Sequence, residues 1–466
     1  MNRARSDAAP STAPDDVFFR ELRGREFARL ARSGHAYLDY TGSGLYGESQ
    51  VERHRDWLLG NVLGNPHSEN PASLASEQTV ERVRERLFRI FDADPAAYDL
   101  VFTSNASGAL KLVGEAFPFA PGSVFALAVD NHNSVGGMRS WARRRGASER
   151  LLPLTRELRL DDPLAHLGRA GTAPSLVAFP AQSNFSGVKH PLDLVSAARE
   201  RGFRVLLDTA AYVPTNPFSM NEAGADFACV SFYKMFGFPT GLGALLARRE
   251  ALEALERPWY AGGAVDFVSI QNDVHQLREA GGAFEDGTPD FLGVGALEAG
   301  LDLLEAVGMV RLRRWLGGIT ARLLEALAGL RHPDGAPAVA VYGPADTADR
   351  GGTVAFNLLD RAGRPLPYEA VEGAAARAGV SIRGGCFCNP GAAEVAFDMP
   401  ARETLECLQR LGRDFTLARF RECLGGDVPV GAVRASLGIA SEPQDVARLM
   451  AVLEGVIEGV PEGVAE

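Results

Sequence analysis

The sequence is poor in cysteine, in lysine and in long apolar runs. Its five cysteines, Cys229, Cys386, Cys388, Cys407 and Cys423, are spread over 466 residues. That odd, sparse count makes a disulfide framework unexpected and favours a reducing compartment. No apolar run approaches the length needed to span a bilayer. The first residues, Met1 to Asp7, lack the apolar core of a secretory signal. A cytoplasmic protein without membrane contact is therefore expected. Excess positive charge is also missing, since the formal net charge is −11. This argues against a general binder of nucleic acid or anionic membranes. No G-x-G-x-x-G follows a first strand, so a nicotinamide dinucleotide is not supported. The Cys386-Phe387-Cys388 spacing lacks the two-residue spacer and the partner pair of a zinc site, so no metal is expected.

What is present reads as a large globular enzyme. The chain is 46% hydrophobic and 23% charged, and its length favours more than one domain. Residues 1–16, rich in Ala, Pro, Ser and Asp, read as a disordered tail. A short amphipathic helix is expected over Phe18 to Ala31. Short, nearly continuous apolar runs then recur at Tyr98–Phe102, Val124–Val129, Ser175–Phe179, Phe203–Leu207 and Phe227–Phe232. Strands buried on both faces of a parallel sheet read this way. Helical segments such as Ala106–Ala116 and Leu192–Arg201 separate most of them, which implies an α/β layer architecture. Gly243–Ala247 adds a further strand. Residues 260–286 show no clear periodicity and read as a long functional loop, a lid or a subunit contact. A long helix is expected from Phe291 through Val307 and on toward Arg322. Beyond it, strands at Gly352–Leu359, Val380–Arg383 and Val430–Gly438 and helices at Tyr368–Ala378 and Pro443–Val456 suggest a smaller α+β domain. The expected division is 17–308 for the large domain and 309–466 for the small one.

The chain's chemistry centres on Lys234, which follows the run Phe227–Phe232. A lone lysine at a strand end is most simply a surface residue. In a closed cleft, however, burial lowers its pKa and frees the amine to form a Schiff base. Asp208 ends the run Phe203–Leu207, and ligands in such sheets bind beyond the carboxyl ends of the strands. A Schiff-base lysine with an acid for a pyridinium nitrogen is the pairing that pyridoxal phosphate requires. Thr103-Ser104-Asn105-Ala106-Ser107-Gly108, entering a helix, reads as a phosphate cup, or more plainly as an N-cap. His132, at the end of the second strand, can stack on a flat ring or simply close a turn. His67, in Gly64-Asn65-Pro66-His67-Ser68, reads equally as a site residue or as a loop histidine bonded to its own backbone. Asn184 can donate to the cofactor or a substrate carboxylate, or close an Asx-turn. The Gly-flanked Cys386–Cys388 loop reads as a mobile segment carrying a nucleophilic thiolate. Arg383 adds positive potential there, although two small, partly buried residues are the bland alternative. Arg434 lies inside an apolar strand, and a buried guanidinium needs an anion such as a substrate carboxylate.

The ordered set His132, Asn184, Asp208, Lys234, Thr288, Cys388 and Arg434 resembles the class V aminotransferase group of fold type I pyridoxal phosphate enzymes. Within that group it is most similar to the NifS-like, cysteine desulfurase domain of molybdenum cofactor sulfurases. The shared stretches are Gly64-Asn65-Pro66-His67-Ser68, Pro180 through Gly187, Ser231 through Leu246, Phe284-Glu285-Asp286-Gly287-Thr288 and Gly385-Cys386-Phe387-Cys388-Asn389-Pro390-Gly391. The resemblance extends from about Tyr37 to Gly438.

The resemblance implies that Lys234 carries the cofactor and moves protons. Asp208 pairs with the ring nitrogen, His132 stacks on the ring, and Asn184 meets the ring oxygen or the substrate. Asn105, Ala106, Ser107 and Ser231 hold the phosphate, with Thr288 contributed by the partner subunit of a homodimer. Arg434 grips the substrate carboxylate, with Arg383 nearby. Cys388, not Cys386, receives the sulfur of L-cysteine and passes it to an acceptor protein. There are three departures. Ala211 stands where many desulfurases have glutamine. Tyr233 stands where many have histidine, a feature shared with the molybdenum cofactor sulfurases. The chain also stops near residue 466, without the domain that binds molybdenum cofactor in the eukaryotic enzymes, which leaves the acceptor open. Two alternatives keep the cofactor: a lyase or carbon–carbon bond-forming enzyme acting on cysteine, cysteine sulfinate or aspartate, and a sulfur-relay scaffold with little turnover of its own.

Overall fold

The computed structural model describes residues 13–426 and 428–459. Its centre is a seven-stranded sheet. In spatial order the strands are Tyr98–Thr103, Gly243–Arg248, Phe227–Ser231, Phe203–Asp208, Ser175–Pro180, Val124–Ala128 and Ser148–Leu152. Only the strand from Gly243 runs against its neighbours, so the sheet is mostly parallel, as expected. Alternate side chains of one strand enter opposite cores. Val205 and Leu207 face one apolar cluster and Leu206 the other. This two-sided burial is why the strands read as unbroken apolar runs. The edge strand Ser148–Leu152 was not anticipated because Glu149 and Arg150 break its apolar run.

The C-terminal sheet is wholly antiparallel, in the order Val339–Tyr342, Thr353–Leu358, Ala432–Ser436 and Arg383–Gly385. The single strand expected at Val380–Arg383 is divided. Val380–Ser381 pairs in parallel with Ala36–Tyr37, while Arg383–Gly385 joins the sheet. The N-terminal segment thus docks on the C-terminal part of the chain.

Several expectations need correction. The first helix spans Ala13–Glu26, and a short one follows at Arg29–Arg32. It begins inside the expected tail, where Asp15 is buried and pairs with Arg314; residues 1–12 lie outside the described residues. The long helix from Phe291 stops at Val307. Gly308, at φ +76°, breaks it before a second helix, Met309–Gly329, because glycine takes this backbone conformation without a Cβ penalty. Residues 260–286 contain an antiparallel hairpin, Val265–Ser269 with Val274–Leu277, and a 3-10 turn at Ala280–Phe284. Much of the hairpin is solvent-facing, so it has no apolar side to produce a pattern. Cys407 and Cys423 form a disulfide joining the helices Ala401–Leu411 and Leu417–Cys423. A helical hairpin brings these two together, which residue counting cannot detect, so the count carries no weight for compartment. Among the described residues no helix is long and apolar enough to cross a membrane.

Candidate active site

The parallel strands deliver their carboxyl ends to one cavity. Asn105, Ala106, Ser107, His132, Asn184, Asp208, Ser231 and Lys234 all line it. The sheet order explains this, since the strands ending at Asp208 and Ser231 are neighbours. Lys234 sits in the short helix Phe232–Phe236 that follows the second of them. Tyr233 O accepts a hydrogen bond from Gly44 N at 3.0 Å, so the N-terminal Gly-rich turn braces the lysine's helix. Gly237 ends the helix at φ +76°, where a Cβ would lie 2.3 Å from Tyr46 N. Only glycine fits that close approach.

The electrostatics favour a reactive amine. Desolvation pulls the Lys234 pKa below its ordinary value, while Asp208 pulls the other way. Asp208 is 8% exposed, and one carboxylate oxygen accepts from Ala210 N at 3.0 Å and Cys229 Sγ at 3.4 Å. Burial and the Asp208 charge push the Cys229 thiol well up, making it a donor rather than a nucleophile. Burial also lowers the His132 pKa, which favours a neutral ring. Its Nδ1 accepts from Ser134 N at 3.1 Å.

At the opposite end lies the helix Ala106–Ala116. Asn105 caps it by accepting from Gly108 N, and Ser231 Oγ accepts from Ala106 N at 2.8 Å. Ser107 and Ser134 hydroxyls are 2.6 Å apart. Hydroxyls around a helix N-terminus can hold an anion. The cavity therefore offers an amine for an aldehyde, an acid for a ring nitrogen and a cradle for a phosphate.

The cysteine loop is held by hydrogen bonds. It is pinned on both sides of Cys388. Asn133 N donates to Cys388 O at 2.7 Å, and Asn184 Nδ2 donates to Phe387 O at 2.7 Å. Asn389 is fully buried and donates through Nδ2 to Asp130 O and Asn184 Oδ1 at 2.7 and 2.8 Å. Phe387 packs on Phe185, with ring centroids 5.3 Å apart. The Cys388 side chain is left exposed. Phe387 and Cys388 both adopt positive φ, +57° and +56°, which turns the thiol outward from a fixed backbone. Cys388 is close enough to act electrostatically on Lys234 and Arg434, and Cys386 stays half-buried.

Arg434 is buried, as expected, but its anion is already present. Arg434 Nη2 lies 3.1 Å from Asp39 Oδ1, and Nη1 donates to Asn184 O at 2.9 Å. Its Nε is buried without a partner. Burial lowers its pKa to about 10. Arg383, exposed on its outer side, also clasps Asp39, at 2.6 Å. Sequence reasoning missed Asp39 and Asn389. Asn389-Pro390 did carry a signal, as a helix N-cap followed by proline at the first helical position. Thr288 lies outside this cavity, where its hydroxyl accepts from Asn65 Nδ2 at 3.0 Å. His67 is exposed and does not line this cavity, and its backbone N–H donates to Asn65 Oδ1 at 3.0 Å.

Comparison with known proteins decides the family. The model of aminotransferase class V matches residues 36–449. The chain belongs to the class V aminotransferase family. Over 453 residues it is 38% identical to a molybdenum cofactor sulfurase of Bos taurus, covering 91% of this chain and 50% of that protein. It is 36% identical to molybdenum cofactor sulfurase 2 of Culex quinquefasciatus, covering 92% of this chain and 57% of the relative. The chain thus spans about half the length of the curated relatives it matches. A cysteine desulfurase from Thermococcus onnurineus NA1 superposes with a TM-score of 0.77 at 24% identity, covering 95% of this chain and 98% of that one. The cysteine desulfurase CsdA of Escherichia coli gives 0.74 at 22%, covering 95% and 99%. These likenesses establish the pyridoxal phosphate fold type I architecture that this class V member shares.

Proposed function

We propose that this class V aminotransferase family member is a pyridoxal phosphate-dependent cysteine desulfurase, cytoplasmic and homodimeric. Its products are alanine and a persulfide on Cys388, whose sulfur goes on to molybdenum cofactor through an acceptor protein. The observation that carries the reading is an exposed thiol on a fixed backbone beside a desolvated lysine with a neighbouring carboxylate. The residues fit the cofactor, because each of its three polar ends meets a chemically matched group. When bound, pyridoxal phosphate supplies an electron sink for the substrate's α-carbon.

The protein's own groups do the rest. Asp208 holds a proton on the ring nitrogen. Asn105, Ala106, Ser107 and Ser231 hold the phosphate, and neutral His132 covers the ring face. Lys234 Nζ, its pKa lowered by desolvation, takes the substrate's α-proton. Cys388 Sγ, as the thiolate, attacks the substrate sulfur. An S–S bond forms, the substrate's C–S bond breaks with its electron pair staying on the β-carbon, and alanine is completed when the β-carbon gains a proton and Lys234 returns one to the α-carbon. Arg434 meets the substrate carboxylate, with Arg383 at the entrance. Asn184 positions both the loop and the substrate. Thr288, which does not line this chain's own cavity, serves the phosphate of a second copy.

The test is intact mass after incubation with L-cysteine, with alanine quantified. Wild type gains one sulfur atom on Cys388 and releases alanine. Cys388→Ala gains none and makes little alanine, yet keeps the absorbance of bound cofactor. Undiminished alanine release by Cys388→Ala would reject the nucleophile.

A further inference from the structure

Two buried titratable groups take no part in the chemistry above. His190 Nε2 lies 2.8 Å from Asp130 Oδ2, and the two side chains are sealed from solvent, at 1% and 0% exposure. Asp130 Oδ1 is also buried and has no partner among the described residues. An ionised carboxylate only accepts hydrogen bonds, so His190 Nε2–H is the group that answers it. Burying such a pair gives little net stability that matched apolar side chains would not. What it fixes is the relative position of the two segments that carry it.

Those segments leave neighbouring strands of the large sheet. Val124–Ala128 runs into Asp130 and on to His132, while Ser175–Pro180 runs into a tight hairpin that presents Asn184 and returns at His190. The hairpin closes through Ser183 N to Val188 O at 2.8 Å and His190 N to Ala181 O at 3.1 Å. The strand ladder itself ends at Leu127 and Ala178. Asn131 Nδ2 crosses once more, to Ala178 O at 2.9 Å. Beyond that point the His190–Asp130 pair joins the two segments directly.

The cysteine loop hangs on both. From the first segment, Asp130 O accepts from Asn389 Nδ2 at 2.7 Å, and Asn133 N donates to Cys388 O at 2.7 Å. From the second, Asn184 Oδ1 accepts from the same Asn389 Nδ2 at 2.8 Å, and Asn184 Nδ2 donates to Phe387 O at 2.7 Å. One amide nitrogen thus spans the two segments. If either shifts against the other, Asn389 loses one of its acceptors and the backbone around Cys388 loses part of its support. We propose that His190 and Asp130 are positioning residues for sulfur transfer: by locking the segment of His132 to the hairpin of Asn184, they hold the backbone of Cys388 in place. The sulfur-transfer part rests on the desulfurase reading; the lock itself does not.

Amide hydrogen exchange of the full chain without cofactor reads the lock independently of turnover. His190→Phe keeps a flat ring and removes the donor. It should speed exchange of the Asn133 amide, which donates to Cys388 O, and of the Asn389 amide, which donates to Cys386 O. The increase should exceed that of the strand Phe203–Asp208 by at least about tenfold, because core strands exchange through global unfolding and report general loss of stability. In protein loaded with pyridoxal phosphate, single-turnover gain of sulfur on Cys388, counted per bound cofactor, should fall by about tenfold or more. The KM for L-cysteine should stay within about twofold of wild type, since substrate binding is untouched. His190→Gln, which returns an N–H donor, should recover most of both losses. Asp130→Ala leaves behind only an imidazole, which can be neutral; it should show the same two losses and keeps the test decisive if His190→Phe does not fold. Exchange at Asn133 and Asn389 that rises no more than in the strand overturns the proposal. So does an undiminished rate of sulfur gain per bound cofactor in these variants. If wild type gains no sulfur, the desulfurase reading fails, and the exchange result alone decides the lock.

Discussion

His132 shows how one residue's surroundings set its chemistry. Desolvation is the main influence on its ring, and Lys234 and Arg434 add to it; only Asp208 opposes them. All this leaves the folded-state pKa below the ordinary 6.5. The sign of the stability effect follows. Between the lowered value and 6.5, the unfolded chain binds more protons than the folded one. Stability therefore rises with pH across that window and is lost as pH falls through it. NMR titration of the cofactor-free protein should find the His132 ring more neutral than charged at pH 6.5, while a midpoint at or above that value would contradict the burial argument. His132, Asp208 and Lys234 were legible in the sequence because each stands directly after an apolar run, where the fold class assigns a ligand edge. Asp39 was not, since nothing local shows that a carboxylate on one segment answers two arginines more than 340 positions away.

Among elements, strands buried on both sides were easy to read and partly exposed ones were not. Phe203–Asp208 has a core on each face, whereas Val265–Ser269 has none. The cysteine loop shows a second use of glycine. Its glycines suggested mobility, and one of them also permits close packing. A Cβ on Gly391 would lie 2.1 Å from Val129 O, at the end of the strand that leads to His132. Gly391 therefore lets the helix Pro390–Ala396 press against the sheet edge, with Asn389 locking its first turn. Gly391→Ala must push the loop outward, and overpacking of this kind costs about 1–3 kcal/mol. Its cofactor absorbance should match wild type, while the rate of persulfide formation on Cys388 falls by about tenfold or more, since displacement of a reacting group by an ångström can cost a hundredfold. An unchanged rate would show that the loop tolerates displacement.

Across the whole molecule, the segment Ala36 to Asp39 acts as a staple for the site. Ala36–Tyr37 pairs with Val380–Ser381, and Asp39 then reaches the small antiparallel sheet. Its carboxylate takes Arg383 at 2.6 Å and Arg434 at 3.1 Å, on neighbouring strands of that sheet. The two contacts are unequal. Arg383 is about half exposed, at 48% of its side chain, so solvent screens its share and little stability follows from it. Arg434 is at 2%. Asp39→Ala leaves that guanidinium buried without its anion, and breaking such a pair from one side costs about 3–5 kcal/mol. Urea unfolding of the cofactor-free protein should show the loss as a lowered midpoint. Replacing both partners, Asp39→Ala with Arg434→Met, removes the stranded charge and should restore part of the stability. The double variant is therefore more stable than Asp39→Ala alone, though it has lost the carboxylate receptor for substrate. If instead the two substitutions add, with the double variant less stable than either single one, Asp39 and Arg434 do not act as a pair, and the N-terminal segment holds the small antiparallel sheet by its backbone pairing alone.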